Sequence, residues 1–106
     1  MSLPLSGLKV LAFEQYGAGP FGTQYLADMG AEVIKIEPAG TSGDYLRDIG
    51  PYFIDGDNRN SASSIFFQAL NRNKKSMTLD VLSDEGKIIL KKLVESADAV
   101  CNNLRG

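Results

Sequence analysis

The stretch that most constrains this chain is Leu8 through Glu37, which reads as strand, loop, helix and strand in immediate succession. Lys9-Val10-Leu11-Ala12-Phe13 is a short apolar run, and Glu32-Val33-Ile34-Lys35-Ile36-Glu37 is a second one rich in β-branched residues. Pro20 stands at a first helical position, where its missing N–H costs nothing, and Gly30 stands where a helix stops in the left-handed conformation. Phe21, Tyr25 and Met29 recur every four residues with Leu26 beside them, so one face of that helix is apolar. Two strands joined through a helix cannot form a hairpin. They pair in parallel by a right-handed crossover, and the remaining elements are expected to build onto this βαβ unit.

Downstream of Glu37 the pattern changes. Residues 38 to 62 are rich in Gly, Pro, Ser, Asp and Asn, too long for an ordinary connection in a compact domain and therefore functional or mobile. Within it Asp44 and Arg47, with Tyr45, Tyr52 and Phe53 interleaved, read as a solvated loop with aromatic anchors. Ser63 to Leu70 reads as a short helix with Ile65, Phe66 and Ala69 on one side, broken by the basic turn Asn71 to Lys75, a solvated face. A strand is expected near residues 76 to 81 and a last one near 98 to 102. Between them lies a helix capped by Ser83, with Asp84 and Glu85 in its first turn and Ile89, Leu90, Leu93, Val94 and Ala97 as its apolar stripe. Strands alternating with helices imply an α/β fold, a Rossmann-like, mostly parallel sheet with flanking helices. Ligands of such sheets gather at the carboxyl ends of strands, here the loops Glu14 to Gly19, Glu37 to Gly40, Asp80 to Ser83 and Asn102 to Gly106.

Composition removes several function classes. A net charge of −2 argues against a general nucleic-acid binder, which shows a basic excess. No apolar run approaches the ~20 residues that cross a bilayer, and the N-terminus lacks the pattern of a secretory signal. Cys101 is the only cysteine, which permits no internal disulfide and suits a reducing cytoplasm. With no histidine, a Ser-His-Asp triad, a Cys-His pair or a His-ligated zinc cannot form within these residues, and no metal is expected. Chemistry here rests on carboxylates, amides, lysines, arginines and backbone groups.

The first loop admits more than one reading. Gly17-Ala18-Gly19-Pro20-Phe21-Gly22 is a literal G-x-G-x-x-G, and Glu37 ends the second strand near where a ribose-binding acid falls, as in a dinucleotide-binding module of an oxidoreductase. Against this, Glu14, Gln15 and Tyr16 separate the strand from the first glycine, and a carboxylate at Glu14 repels a pyrophosphate. The glycines equally serve a tight strand-to-helix turn alone, in a stand-alone structural or interaction domain.

Four segments carry a family likeness. LSGLKVLAFEQYGAGPFGTQYLADMGAEVIKIEP at 5 to 38, GDYLRDIGPYF at 43 to 53, LNRNKKSMTLDV at 70 to 81 and ADAVCNNLRG at 97 to 106, in order and compatibly spaced, resemble the opening of the family III CoA transferases. This is the carnitine dehydratase and bile-acid-inducible protein F group, which includes formyl-CoA transferase and α-methylacyl-CoA racemase. The resemblance implies that residues 1 to 106 form the N-terminal, CoA-binding segment of the large domain of a longer enzyme. It implies CoA or acyl-CoA and a carboxylic acid as partners, no nucleic acid or membrane, a cytoplasmic location, and a homodimer whose subunits interlock. CoA contacts then fall on Tyr16, Gly17 and Ala18, on Leu79, Asp80, Val81 and Leu82, and on Asn103, Leu104 and Arg105, with Arg105 the side chain for a phosphate or the adenine. Two positions depart from some family members, which carry an arginine where this chain has Pro38 and a lysine where it has Leu82. The family's aspartate nucleophile, which forms an anhydride and then a CoA thioester, falls beyond residue 106, so no catalytic residue is expected here and the chain alone is expected to be inactive. Transfer and racemisation are not separable from this stretch.

Overall fold

A computed structural model describes residues 2–55 and 64–105. Four strands, β1 (Lys9–Phe13), β2 (Glu32–Glu37), β3 (Lys75–Thr78) and β4 (Ala99–Asn102), form one sheet in the order β3-β2-β1-β4. Every pairing is parallel: Leu11 lies opposite Ile34 on one side and Val100 on the other, and Ile36 lies opposite Met77. The expected βαβ unit is therefore present. Helices α1 (Ala18–Asp28), α2 (Ile65–Asn71) and α3 (Asp84–Ser96) make the crossovers, and a 3₁₀ turn occupies Tyr45–Asp48. Residues 56–63 of the long loop, including the expected start of the second helix, and Gly106 lie outside the described residues.

The strand pleat sorts the core. Val10, Ala12 and Val33 share a face with Ala27 and Ala31 of the α1 region, joined by Leu5, Leu26 and Cys101. Leu11 points to the opposite face and is fully buried, on the side where the change of direction after β3 carries α3. The chain reverses its direction across the sheet between β1 and β4, so a crevice opens at their carboxyl ends.

Helix ends follow local chemistry. Gly30 has φ +103° just past α1, as expected of a terminating glycine. Ser83 accepts a hydrogen bond from Gly86 N at 2.9 Å and starts α3. Gly86 itself is obligatory, because a Cβ there would run into the Asp80 carbonyl oxygen. Pro20 is the third helical residue of α1 rather than the first, still within the turn whose N–H groups have no helical partner.

The helix faces differ from the periodicity reading. α1 buries Pro20, Thr23, Gln24 and Ala27, while Phe21 and Tyr25 stay exposed and meet edge to face at 5.1 Å. α2 buries Phe67 and exposes Ile65 and Phe66; α3 leaves Ile88, Ile89 and Val94 exposed. The reason is that α1 turns Thr23 toward the buried Glu14 carboxylate just after β1, to which its hydroxyl donates. The apolar side is thereby turned outward, where no described residue covers it.

Candidate functional site

Two segments meet at the crevice between β1 and β4. After β4, Asn103 N donates to Phe13 O at 3.1 Å and so prolongs the ladder. The Asn103 side chain then clamps the loop after β1: its Oδ1 accepts from Gln15 N at 3.0 Å and its Nδ2 donates to Gln15 O at 3.1 Å. Gly19 is needed for this approach, since a Cβ there would lie 2.7 Å from Asn103 Cγ and 2.8 Å from Glu14 Cβ. The result is an open groove of about 610 Å³ lined by Gln15, Tyr16, Gly17 and Ala18 on one side and by Asn103, Leu104, Arg105 and Tyr45 on the others.

Gly17 has a different position from Gly19. It precedes α1 with φ −114°, and a Cβ there meets nothing within 4 Å, so neither turn geometry nor packing requires glycine. The left-handed residue of this loop is Tyr16, at φ 64°. Among the described residues no side chain caps α1, and its N-terminal residues Gly17 and Ala18, with the helix's partial positive charge, line the same groove as Arg105. Tyr16 and Tyr45 stack at 5.4 Å with 11° between their planes and form an aromatic wall.

A smaller hollow of about 100 Å³ adjoins the groove, sharing Gln15 and Leu104 with it and adding Phe13, Glu14, Ile36, Glu37, Pro38, Leu79 and Val81. The structure thus brings Tyr16, Gly17, Ala18, Asn103, Leu104 and Arg105 to one groove, and Leu79 and Val81 to its neighbour. Asp80 and Leu82 line neither. The Asp80 carboxylate accepts from Leu82 N at 3.1 Å and its carbonyl accepts from the Ser83 hydroxyl at 3.0 Å, a turn that ends the strand early. Leu82 projects outward. Gln15 and Tyr45 are groove residues that sequence reasoning missed.

Joined to the groove loop through the Tyr16 N–H, which Asp44 accepts, is a buried network of charges. The Lys35 ammonium, on the middle of β2, sits 2.7 Å from Asp44 Oδ2, 3.0 Å from Asn71 Oδ1 and 3.7 Å from Glu14 Oε1. Lys74 donates to Glu14 Oε1 and to Pro20 O, each at 2.9 Å, and Thr23 donates its hydroxyl to the same carboxylate. Asp44 and Glu14 are buried, as are the Lys35 and Lys74 side chains. Beside them the Arg47 guanidinium grips Glu37 with two bonds of 2.8 and 2.6 Å, and lies 3.9 Å over the Phe67 ring.

This corrects the reading of Asp44, Arg47 and Lys74 as solvated residues: each is half-buried or buried and paired. Burial pushes the Lys74 ammonium below its ordinary value, against the pull of Glu14. Three carboxylates meet three cations, so the charges of this network are matched. Glu14 therefore does not present the unpaired charge that would repel an anion. Among the described residues no group of three His, Cys, Asp or Glu could hold a metal ion, and no helix is long and apolar enough to cross a membrane.

Comparison with known proteins agrees with the geometry. Residues 5–106 match the family model CoA-transferase family III. The chain is 41% identical over 103 residues to a succinate–glutarate CoA-transferase of Agrobacterium fabrum, covering 96% of this chain and 25% of the relative. It is 44% identical over 101 residues to a succinyl-CoA:mesaconate CoA-transferase of Haloarcula hispanica, covering 95% of this chain and 24% of that one. A crystal structure of a CAIB/BAIF family protein from Brucella suis superposes with a TM-score of 0.84 at 40% identity, over 98% of this chain and 26% of that one. The chain thus spans about a quarter of the length of these relatives. On the match of nearly its whole length, this chain belongs to CoA-transferase family III.

Proposed function

We propose that this segment supplies the CoA-binding loops of an enzyme that moves CoA between carboxylic acids. The observation that carries the reading is the groove at the β1–β4 crevice, which Gly17 and Ala18 at the start of α1 line together with Arg105. The pantetheine arm needs close backbone approach, which Gly17 allows, and phosphates need N–H groups and a guanidinium. The small apolar hollow at Leu79 and Val81 suits the flat face of the adenine. The two relatives described above are transferases, which favours transfer over racemisation. In this reading the reaction runs through an aspartyl intermediate whose nucleophile lies outside these residues, in a cytoplasmic, interlocked homodimer.

A dinucleotide module is disfavoured by the family and by the three residues between β1 and Gly17. Titrating the isotope-labelled chain with CoA should move amide resonances of residues 15–18, Leu79, Val81 and residues 103–105, weakly but saturably, whereas NAD(P) and FAD should not. Gly17→Val should keep the circular dichroism of the parent, because its side chain enters open space, yet weaken CoA binding by roughly tenfold by filling the groove. An unchanged affinity would remove this loop from the binding surface. Mixed with an acyl-CoA and a panel of free acids, the 106-residue chain should show no CoA exchange by mass spectrometry above a protein-free control. Turnover would place the nucleophile within it.

A further inference from the structure

Tyr16 carries a large side chain in a left-handed backbone conformation, a state that a non-glycine residue holds only when its surroundings impose it. Asp44 imposes it. The Asp44 Oδ1 atom accepts the Tyr16 N–H at 3.2 Å and the Leu46 N–H at 2.9 Å, the latter opening the 3₁₀ turn that presents Tyr45. The other oxygen, Oδ2, is held at 2.7 Å by Lys35, whose stem is anchored in the centre of the sheet. One carboxylate therefore ties together both segments whose rings stack as the groove wall, and fastens them to β2.

We propose that Asp44 is a positioning residue. It latches Tyr16 and Tyr45 into one aromatic wall and so sets the width of the groove before a ligand arrives. The inference rests on the CoA-binding reading for the identity of that ligand, but the latch itself is a statement about Tyr16 and Tyr45. A plain buried ion pair would add stability without touching the groove. Here the hydrogen-bonding oxygen and the ion-pairing oxygen are different atoms, so the two contributions separate. A preorganised wall lowers the ordering cost on binding, which is the effect to be measured.

The test uses the whole chain and three variants. Asp44→Ser keeps a cap for the turn but is too short to reach Tyr16 N while capping. It should release Tyr16 from the left-handed region, read by its amide-to-Hα coupling constant, abolish the cross-peaks between the two rings, and weaken CoA binding roughly tenfold. The pair Lys35→Met with Asp44→Asn retains an amide oxygen for Tyr16 and Leu46 without a charge. It should keep the coupling constant and bind CoA within about twofold of the parent. Tyr45→Leu leaves the buried pair intact and should still weaken CoA binding several-fold; it carries the test if Asp44→Ser does not fold. Asp44→Ser folded with Tyr16 unmoved, or Tyr45→Leu binding CoA like the parent, overturns the proposal. If the parent fails to bind CoA, the functional reading falls, and the coupling constant and ring cross-peaks alone decide the latch.

Discussion

Lys35→Met should destabilise the chain by about 3–5 kcal/mol, a large part of the roughly 5–15 kcal/mol that holds a domain folded. Methionine replaces the stem of Lys35 with little change in volume, so the loss is electrostatic and not a cavity. What it leaves behind is the Asp44 carboxylate, fully buried, whose remaining direct partners among the described residues are the Tyr16 and Leu46 N–H groups. Glu14 suffers less, because Lys74 remains at 2.9 Å and Thr23 still donates. Denaturant unfolding should show a lower midpoint with an unchanged slope. Adding Asp44→Asn should then restore most of the loss, since removing both members of a buried pair is far less harmful than removing one. Single variants that each cost under about 1 kcal/mol, with additive effects, would mean that the pair is hydrated and its burial irrelevant.

That network marks where the sequence stopped being legible. The sheet was readable because apolar, β-branched runs announce strands: β2 was expected at residues 32 to 37 and occupies Glu32–Glu37. The third strand is expected at 76 to 81 but ends at Thr78, because the Asp80 side chain accepts the Leu82 N–H and starts a turn. Lys35 could be seen on a strand, yet its burial depends on Asp44 and Asn71, supplied by a turn and a helix from elsewhere in the chain. Lys74 meets Glu14 across 60 residues of sequence. Periodicity records which positions are apolar, and says nothing of a charge neutralised by a distant partner. The same blindness inverted α1: Thr23 faces inward because Glu14 is there to accept from it, leaving Phe21 and Tyr25 outside.

The groove was half legible for a related reason. Tyr16, Gly17 and Ala18 stand out because a loop between a strand and a helix of a parallel sheet must open at the ligand edge. The loop Asn102 to Gly106 follows from the same rule, and within it the family resemblance singles out Asn103, Leu104 and Arg105. Tyr45 follows from nothing local. It reaches the groove because Asp44 caps the turn before it and is pulled inward by Lys35. The signal that could have found it is the pairing of a lone lysine inside a strand with a nearby acidic cap. Gly17 and Gly19 look alike in sequence, and only the space around each shows that one serves packing and the other leaves room.

Acid should weaken the fold through Glu37, over a window that its surroundings define. Burial alone would raise its pKa, but the Arg47 guanidinium, the Asp44 N–H and the Ser76 hydroxyl all bind the charged form and outweigh it, holding the carboxyl down to about 2 from 4.5. The folded state therefore favours the ionised form. The resulting stability is fully present above the unfolded value and is lost as pH falls from 4.5 towards about 2. A shift of this size corresponds to about 3 kcal/mol, an upper figure because Arg47 is partly open to solvent. Asp28 is likewise held below its ordinary value by its hydrogen bond from Arg72, so the informative quantity is the difference between the parent and Glu37→Gln. Glutamine has no proton to gain. At neutral pH the variant should unfold at a clearly lower denaturant concentration, and its gap from the parent should narrow steadily on acidification until it nearly closes around pH 2. Salt should change the gap little, because the Glu37 carboxylate is buried and its partners are in direct contact. A gap that stays constant across the window would show that Arg47 and Glu37 contribute packing and hydrogen bonds without a dependence on charge.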